Sequence, residues 1–517
     1  MPAKVYLVGA GPGDPGLLTL KGKRCIEQAD VVIYDYLANP RLLDHARPDA
    51  LRLLVGKHGG GERVDQQVIN ALIVEHAQQG RTVVRLKGGD PFIFGRGGEE
   101  AEAVGAAGIE FEIVPGVTSA VAAPAYAGIP LTHRTLASNV IFTTGYEYAT
   151  KTEPAVRWTE LARSGSTLVI LMTQRQLASN MTKLIAAGLD PDTPAAVIQW
   201  GTRAAQRTVV GTAARIAGLA QEQQLKPPAI TVVGEVVRLR DKLNWFERQP
   251  LFGRRIVITR PRAQAAEFAE LLEAWGAEVV LLPTIDTVPP PSFAALDDSI
   301  HRAGEFDWVV FTSANGVRVF FDRIQFVGGD VRDWHRARFA AIGPQTASAL
   351  RSYCVRVEAI PDEFRAEGII AALQQAGVGG MRVLLPRAAG ARAVLPQQLR
   401  TMGATVEEVV TYSTVLPRAT VDELRQRLGE AVDLITFTSS STVHNFVAGC
   451  GDRVDAVLAH AAVGCIGPVT AETARHYGMQ VAIQPNVYTV AAFVDAIVNF
   501  YAPAAQTARS GAVPVHE

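Results

Sequence analysis

Four segments within the first 134 residues place glycines and polar or ionisable side chains directly after a predicted strand. One of them ends the strand Val31–Tyr34 with the carboxylate of Asp35, and another carries Lys57 on a glycine-rich loop. Ligands of open α/β sheets bind at the carboxyl ends of the strands, where such loops meet. These loops therefore indicate a site for a small ligand, with Asp35 and Lys57 among its ionisable groups.

The loop GAGPGDPG follows the first predicted strand, Val5–Val8. Its spacing approaches that of a dinucleotide-binding fingerprint, but Asp14 stands where the third glycine belongs, and Pro12 and Pro15 prevent immediate entry into a helix. Helical periodicity begins only after Thr19, a residue suited to cap a helix. The loop therefore argues against a nicotinamide-dependent oxidoreductase.

Two longer segments complete the set. LKGGDPFIFGRGGEE follows the strand Val83–Leu86, and VPGVTSA begins at Val114, with GIPLTHR further along the chain. A single loop of this kind is often only a tight turn or a helix cap. Four of them, each within a strand–loop unit, indicate one composite ligand site.

The elements that must position these loops are strands that alternate with helices. Runs such as Ile230–Val233, Val309–Thr312 and Leu434–Thr438 alternate with helical periods, which predicts an α/β fold of parallel sheets covered by helices. The 517 residues predict three or four domains, at about 100–200 residues each. A hydrophobic content of 48% and a charged content of 20% exclude a disordered chain.

Charge and cysteine content restrict the partners and the compartment. The formal net charge of −1 gives no general attraction to nucleic acid or to a membrane surface. The N-terminus enters a strand without an apolar signal segment, and no apolar run is long enough to span a bilayer. The four cysteines form no CxxC pair, so neither a disulfide framework nor a metal site is predicted. We expect a cytoplasmic protein that binds neither nucleic acid nor membrane.

The N-terminal segments resemble uroporphyrinogen-III C-methyltransferases of the tetrapyrrole methylase family over about residues 3–246. LKGGDPFIFGRGGEE is the most specific marker, since related corrinoid methylases match it less closely. The resemblance implies two α/β lobes with S-adenosyl-L-methionine in the cleft between them, and a homodimer formed through this half. The implied reaction methylates uroporphyrinogen III at C2 and C7 to give precorrin-2, on the route to sirohaem and cobalamin.

Site residues follow from the resemblance by position. It implies that Asp35 is the proton acceptor and Lys57 the proton donor. The implied cofactor contacts are Pro12, Gly88, Gly89, Asp90, Ile93, Thr118, Ser119, Met172, Gly201 and Ala229. Ser119 replaces the family's more frequent alanine, which a backbone contact would tolerate. Methyl transfer from a sulfonium requires aligned donor and acceptor carbons, and the methylated pyrrole carbon must then lose a proton. Candidates to bind the substrate's carboxylates are Arg41, Arg96, His133 and Arg134.

The C-terminal half contains an internal repeat with a period of about 125 residues. FDWVVFTSANGV at 306–317 matches VDLITFTSSSTV at 432–443, and AAIGPQTASAL at 340–350 matches GCIGPVTAETA at 464–474. The repeat predicts two similar α/β lobes with a ligand cleft between them. The Ser and Thr residues of these loops either cap the following helices or bind anions, and their repetition in four loops favours anion binding.

This half resembles uroporphyrinogen-III synthase over about residues 253–500, with TSANGV, IGPxTA and VVTYSTV as markers. The resemblance implies cyclisation of hydroxymethylbilane with inversion of ring D through a spiro intermediate. It places Tyr412 near the leaving hydroxyl, although an ordinary strand tyrosine is the alternative. The substrate-binding candidates are Thr312, Ser313, Thr346, Ser439, Ser440 and Thr470, with Arg260, Arg365 and Arg387 as further candidates for carboxylates. Few strong acid–base residues are expected, because such an enzyme mainly folds its substrate.

The predicted organisation is a methylase unit at 1–246, with lobes of about 1–132 and 133–246, a linker at 247–252 and a synthase unit at 253–502. The family fold implies one synthase lobe from 253–286 plus 418–502 and another from 287–417. The tail at 503–517 is predicted to be disordered. The sequence therefore predicts a bifunctional tetrapyrrole enzyme. The alternatives are a methylase whose C-terminal half is a non-catalytic tetrapyrrole-binding regulatory module, and a methylase for a later corrinoid with a degenerate C-terminal half.

Overall fold

The computed structural model describes residues 4–56, 64–146, 156–361, 366–415 and 432–502. Lys57, Arg365 and the tail at 503–517 lie outside the described residues. The chain divides into two compact units. Unit 1 comprises residues 1–256, 268–279 and 494–517, and unit 2 comprises residues 257–267 and 280–493. Within the described residues, no helix is both long enough and apolar enough to cross a membrane.

Unit 1 contains two five-stranded sheets. Its strands are β1 (Lys4–Gly9), β2 (Val31–Tyr34), β3 (Leu51–Leu54), β4 (Val83–Lys87), β5 (Glu110–Val114), β6 (Val140–Thr144), β7 (Thr167–Leu171), β8 (Pro194–Gln199), β9 (Arg207–Thr212) and β10 (Ala229–Val233). Its helices are α1 (Leu20–Gln28), α2 (Gln66–Gln78), α3 (Gly97–Ala106), α4 (Ser119–Tyr126), α5 (Trp158–Arg163), α6 (Leu177–Ala186), α7 (Ile216–Glu222) and α8 (Arg240–Leu243). Short 3-10 helices span Pro15–Leu17, Pro40–His45, Gln174–Gln176 and Glu235–Leu239.

The first sheet agrees with the predicted parallel pattern, whereas the second does not. The first has the order β3-β2-β4-β1-β5, with every pair parallel. The second has the order β6-β7-β10-β8-β9, and only β6 and β7 are parallel in it. The prediction of parallel sheets throughout is therefore wrong, because β8 and β9 are consecutive strands that pair antiparallel and β10 pairs antiparallel with both β7 and β8. Thr19 caps α1 as predicted, since its hydroxyl accepts from the amide of Gly22.

The remaining strands are β11 (Arg255–Ile258), β12 (Glu278–Leu281), β13 (Asp286–Val288), β14 (Trp308–Phe311), β15 (Arg338–Ala341), β16 (Arg382–Ala388), β17 (Thr405–Val415), β18 (Leu434–Phe437), β19 (Ala462–Cys465) and β20 (Val481–Ile483). The helices are α9 (Arg262–Glu273), α10 (Ala294–His301), α11 (Ala314–Phe326), α12 (Pro344–Ser352), α13 (Ala366–Gln375), α14 (Val394–Thr401), α15 (Ser440–Cys450), α16 (Val454–Leu458), α17 (Pro468–His476) and α18 (Val490–Tyr501). Short 3-10 helices span Ala303–Glu305, Val331–Trp334 and Gly451–Arg453.

The strands of the internal repeat are present, but the two copies of the repeat do not correspond to the third and fourth sheets. The third sheet has the order β12-β11-β18-β19-β20, and the fourth has the order β13-β17-β16-β14-β15. β11 and β14 belong to the first copy, whereas their equivalents β16 and β18 belong to the second. Each sheet thus combines strands from both copies. The repeat copies therefore do not correspond to the sheets, because the chain passes from the third sheet to the fourth and back.

Candidate functional site

Three loops of unit 1, which follow β1, β4 and β5, meet backbone to backbone. The amide of Gly89 donates to the carbonyl of Gly11 at 2.8 Å, and the amide of Gly11 donates back to the carbonyl of Gly89 at 3.2 Å. A Cβ on Gly9 would lie 2.5 Å from the Cα of Gly116, and a Cβ on Gly116 would lie 2.4 Å from the carbonyl oxygen of Gly89. Only glycine allows such approaches, so these residues bring the predicted loops together.

Asp90 and the start of helix α4 lie beside the contact between these loops. The Asp90 carboxylate accepts from the amides of Phe92 at 2.8 Å and Gly116 at 2.9 Å, and so joins the loops after β4 and β5. Thr118 caps α4 through a bond from the amide of Ala120 at 3.3 Å. The start of α4 lies beside Gly89, where a Cβ would be 3.7 Å from the amide nitrogen of Ser119. Gly89, Asp90, Thr118 and Ser119 are therefore neighbours.

The second sheet supplies the other predicted cofactor residues. Gly201 packs on α4, because a Cβ at this position would lie 2.3 Å from the Cβ of Ala123. The amide of Trp200 bonds to the carbonyl of Pro228, which puts Gly201 near Ala229. Met172 follows β7, is half-exposed and has a positive φ of 57°. Met172, Gly201 and Ala229 thus share one end of the second sheet.

This group of residues fits S-adenosyl-L-methionine. Gly89 and Gly116 are partly exposed and carry no side chain, so a ligand can approach the backbone closely at this point. Ile93 and Met172 add half-exposed apolar side chains. Pro12 and Gly88 lie next to the bonded pair formed by Gly11 and Gly89.

Asp35 lies directly after β2 and is held by buried charges. The Arg85 guanidinium donates to Asp35 at 2.6 Å and to Glu100 at 3.0 Å, and the Lys87 ammonium donates to Glu100 at 2.8 Å. Arg85, Lys87 and Glu100 are all at most 3% exposed. Burial lowers the pKa of Lys87, and the neighbouring Arg85 charge adds to this effect. Burial also acts to lower the pKa of Arg85, but the Asp35 and Glu100 charges outweigh it and raise that pKa.

Sequence reasoning missed Arg85 and Glu100. From sequence alone, Lys87 could be an ordinary solvated lysine, but the structure contradicts this because the side chain is 3% exposed. The strand VVRLK held a usable signal, because two cations two residues apart point to the same face. Cations within an otherwise apolar strand require a buried acid, and α3 supplies it as Glu100.

The predicted carboxylate-binding cations of unit 1 have different surroundings. Arg41 forms an ion pair with Glu273 of α9, within the same unit. Arg96 precedes α3 with a positive φ and pairs with Glu99 at 2.6 Å. His133 and Arg134 are exposed. Arg41 already has a protein carboxylate as its partner, which the sequence did not indicate.

In unit 2, Ser313 and Tyr412 are in direct contact. Their hydroxyl oxygens lie 2.9 Å apart, and the Ser313 hydroxyl also accepts from the amide of Gly316 and so caps α11. Tyr412 is 8% exposed and lines a cavity of about 320 Å³. Thr312 directly precedes this cap, and Thr346 is buried in the first turn of α12.

The equivalent loops of the third sheet form a second polar cluster. Ser439 caps α15 through the amide of Thr442 at 3.3 Å. The Ser440 hydroxyl accepts from Thr473 at 2.8 Å, and Thr470 is buried in the first turn of α17. The capping alternative therefore holds for Ser313 and Ser439 but not for Thr346 and Thr470.

Two of the further arginine candidates have protein partners. Arg387 pairs with Glu408 at 2.6 Å. Arg260 bonds to Gln264 at 3.2 Å, and burial lowers its pKa. Arg260 carries no carboxylate partner among the described residues.

Comparison with known proteins gives matches to both halves. A family model described as Tetrapyrrole (Corrin/Porphyrin) Methylases matches residues 4–217, and one described as Uroporphyrinogen-III synthase HemD matches residues 266–495. The porphyrin biosynthesis protein HemD of Ruminiclostridium josui is 37% identical over 92% of this chain and 94% of its own. The uroporphyrinogen-III C-methyltransferase of Bacillus subtilis is 43% identical over 69% of this chain and 73% of its own. The S-adenosyl-L-methionine-dependent uroporphyrinogen III methyltransferase of Methanosarcina barkeri is 55% identical over 47% of this chain and 94% of its own.

Proposed function

This chain belongs to the tetrapyrrole methylase family over residues 4–217 and to the uroporphyrinogen-III synthase HemD family over residues 266–495, and on that premise we propose how its residues divide the work. It is a bifunctional enzyme of tetrapyrrole biosynthesis. One activity cyclises hydroxymethylbilane to uroporphyrinogen III, and the other methylates that product with S-adenosyl-L-methionine to give precorrin-2. The observation that carries this conclusion is the identity to one relative over 92% of the chain, which spans both halves.

In the methylase reaction, we assign proton removal to Asp35. The cofactor supplies an electrophilic methyl group on its sulfonium. Arg85 donates to the Asp35 carboxylate at 2.6 Å and orients it, which supports a role for this carboxylate in accepting the proton that the methylated pyrrole carbon loses. We assign cofactor binding to the glycine loops and to Thr118, Ser119 and Met172. We assign proton donation to Lys57, following the family resemblance.

In the synthase reaction, we propose that Tyr412 contacts the hydroxyl group that leaves the substrate. Tyr412 lines a cavity and its hydroxyl contacts that of Ser313 at 2.9 Å, which supports a role in donating a hydrogen bond to the departing hydroxide. We assign substrate carboxylates to the loops at the starts of four helices, because the first turn of a helix favours anions. The residues of these loops are Thr312, Ser313, Thr346, Ser439, Ser440 and Thr470.

We also propose the domain boundaries 1–246, 247–252 and 253–502. Sheet membership supports them, because the first two sheets end at Val233 and the last two begin at Arg255.

We further propose a homodimer formed through the methylase half, and a cytoplasmic location, which the four free thiols support. Sedimentation of the full chain at two concentrations tests the dimer, and a monomer at both would contradict it.

The test of both activities supplies hydroxymethylbilane under anaerobic conditions, with and without S-adenosyl-L-methionine, and identifies the products by isomer and mass. We expect type III uroporphyrinogen without the cofactor and a dimethylated product with it. If only the spontaneous type I isomer forms while added uroporphyrinogen III is still methylated, the C-terminal half is a binding module.

Asp35→Asn separates the two activities. We expect it to lower methylation by about 10²–10⁴-fold, because the base is lost, while cofactor binding and type III isomer formation stay at wild-type levels. Asp192→Asn, on an exposed loop, is the matched control. Wild-type methylation in Asp35→Asn would remove this residue from the mechanism.

A further inference from the structure

A groove in unit 2 runs from Tyr412 along helix α11 and has a volume of about 320 Å³. Apolar side chains form most of its walls, namely Val288, Pro289, Phe293, Val319 and Phe326. Phe326 is 76% exposed, which is unusual for a phenylalanine. The volume lies at the low end of the range for small-ligand pockets, about 300–1,000 Å³, so the groove accommodates a part of a tetrapyrrole and not the whole.

The two arginines of this groove differ in their hydrogen-bond partners. Arg323 is held by Asp297 through two bonds of 2.6 and 2.7 Å, and its guanidinium stacks on Phe293 and Phe326. Arg318 is exposed, and within the described part of the chain it donates only to the side-chain oxygen of Asn315, at 3.1 Å. Among the described residues Arg318 forms no ion pair, so its charge is available to an incoming carboxylate.

Asp322 adds a hydrogen-bond acceptor one turn further along α11. Its carboxylate accepts from the Tyr353 hydroxyl at 3.5 Å and also lines the groove. An ionised carboxylate can accept several hydrogen bonds. The groove therefore combines apolar walls, a cation with no ion pair among the described residues and an acceptor, and a pyrrole ring with an acidic substituent and a ring N–H matches all three.

We propose that this groove binds one terminal pyrrole ring of the linear tetrapyrrole substrate, with Arg318 on a carboxylate of that ring. The inference rests on the synthase function proposed above and names a substrate-binding residue for it. Tyr412 lines the same groove, so a ring bound there lies next to the tyrosine that we propose to contact the leaving hydroxyl of the substrate. Arg318 then acts by holding the ring in place, because its guanidinium can form two parallel bonds to a carboxylate.

The test compares steady-state synthase kinetics of the full chain carrying Arg318→Gln with those of the wild type, with hydroxymethylbilane as substrate. We expect KM to rise about tenfold, because a charge-assisted contact is lost, while kcat changes little. Val319→Trp, which fills the groove without altering its charge, should also raise KM. Arg332→Gln is the matched control, since Arg332 is 86% exposed, pairs with Asp330 and does not line the groove.

The outcomes separate this inference from the proposed function. If the wild type forms type III uroporphyrinogen and Arg318→Gln has a wild-type KM, the groove assignment is overturned and the synthase function stands. A fall in kcat with an unchanged KM also overturns it. If the wild type forms no type III isomer, the synthase function fails, and this inference fails with it.

Discussion

At the residue scale, a buried group of charges on β4 and α3 positions Asp35. Arg85 and Lys87 share the Glu100 carboxylate, which is completely buried. Removing a single partner from such a group leaves an uncompensated charge in a low-dielectric interior, which typically costs about 3–5 kcal/mol. Asp35 is the only member of this group at the edge of the site, because its side chain is partly exposed. The buried members therefore orient the carboxylate that is available for chemistry.

Tyr126 is a second positioning residue, because it holds Asp14 of the first loop. Its hydroxyl donates to Asp14 of the GPGD loop at 2.6 Å. Its ring packs on Trp245 and Phe246, with ring centroids 5.0 and 4.8 Å apart. Burial and the Asp14 charge both raise the pKa of Tyr126, so it stays a hydrogen-bond donor at neutral pH. The aromatic residues near the end of the methylase half thus help to fix the first loop.

We predict that Tyr126→Phe raises the KM for S-adenosyl-L-methionine by up to about tenfold, because a hydrogen bond to a charged group is lost. The methylase kcat at saturating cofactor should change little, and type III isomer formation should not change. The measurement is methylation rate against cofactor concentration. An unchanged KM would show that this bond does not help to order the loop.

At the element scale, the loops after β1, β4 and β5 require glycine where their backbones cross. The closest approach is at Gly116, where a Cβ would meet the carbonyl oxygen of Gly89 and the backbone of Gly9. Backbone atoms cannot move aside as a flexible side chain can. The glycine pattern is thus explained by contact between loops as much as by turn conformation.

We predict that Gly116→Ala abolishes detectable cofactor binding, because the added methyl group forces these loops apart. Isothermal titration with S-adenosylhomocysteine measures the loss. Synthase activity on the same chain reports whether the protein is folded. Gly98→Ala is the matched control, since a Cβ there meets nothing within 4 Å. If Gly116→Ala binds S-adenosylhomocysteine as tightly as the wild type does, the close contact between these loops is contradicted.

The short segment between the second and third sheets is bound to unit 1 and is not a free tether. The Glu247 carboxylate accepts from Gln206 at 2.8 Å and Thr208 at 2.7 Å, and it forms an ion pair with Arg240. Arg240 is 9% exposed. The linker predicted at 247–252 therefore begins with a residue that neutralises a buried charge.

We predict that Glu247→Gln lowers the free energy of unfolding by about 3–5 kcal/mol, because Arg240 loses its buried counter-charge. Thermal unfolding of the full chain, followed by differential scanning fluorimetry, measures the change as a lower Tm. Glu235→Gln is the control, since its pair with Arg238 is exposed and should contribute little. Equal Tm values for the two variants would show that Glu247 is not structurally important.

At the scale of the whole molecule, the two compact units do not follow the order of the chain. Unit 1 includes residues 268–279, to which Glu273 belongs, although the synthase family match begins at 266. Burial raises the pKa of Glu273 to about 7, and the Arg41 charge opposes this effect without cancelling it. A carboxyl group with a raised pKa binds its proton more tightly in the folded state. Stability should therefore fall as the pH rises from about 4.5 to about 7.

We predict that Glu273→Gln, which resembles the protonated form, raises the Tm at pH 8 and leaves it unchanged near pH 5. Thermal unfolding at both pH values measures the difference. Glu270→Gln, on the exposed side of the same helix, should match the wild type at both. A Tm that falls equally at both pH values in Glu273→Gln would mean that Glu273 is ionised throughout this range.

Sequence alone determined the features that depend on neighbours in the chain. The strand positions, the Thr19 cap, the glycine loops and the four helix starts of the repeat follow from hydrophobic period and turn chemistry, which act over a few residues. Family resemblance added the two activities, which the comparisons confirm. The assigned roles of Asp35 and Tyr412 remain predictions.

Only the tertiary structure decided which distant residues meet. Arg85 and Asp35 are 50 positions apart and Tyr126 and Asp14 are 112 apart, so no local pattern pairs them. The antiparallel strands of the second sheet and the exchange of repeat copies between the third and fourth sheets also depend on strand order. Strand order is set by the packing of the whole unit, because each sheet must bury its apolar faces under the helices available to it.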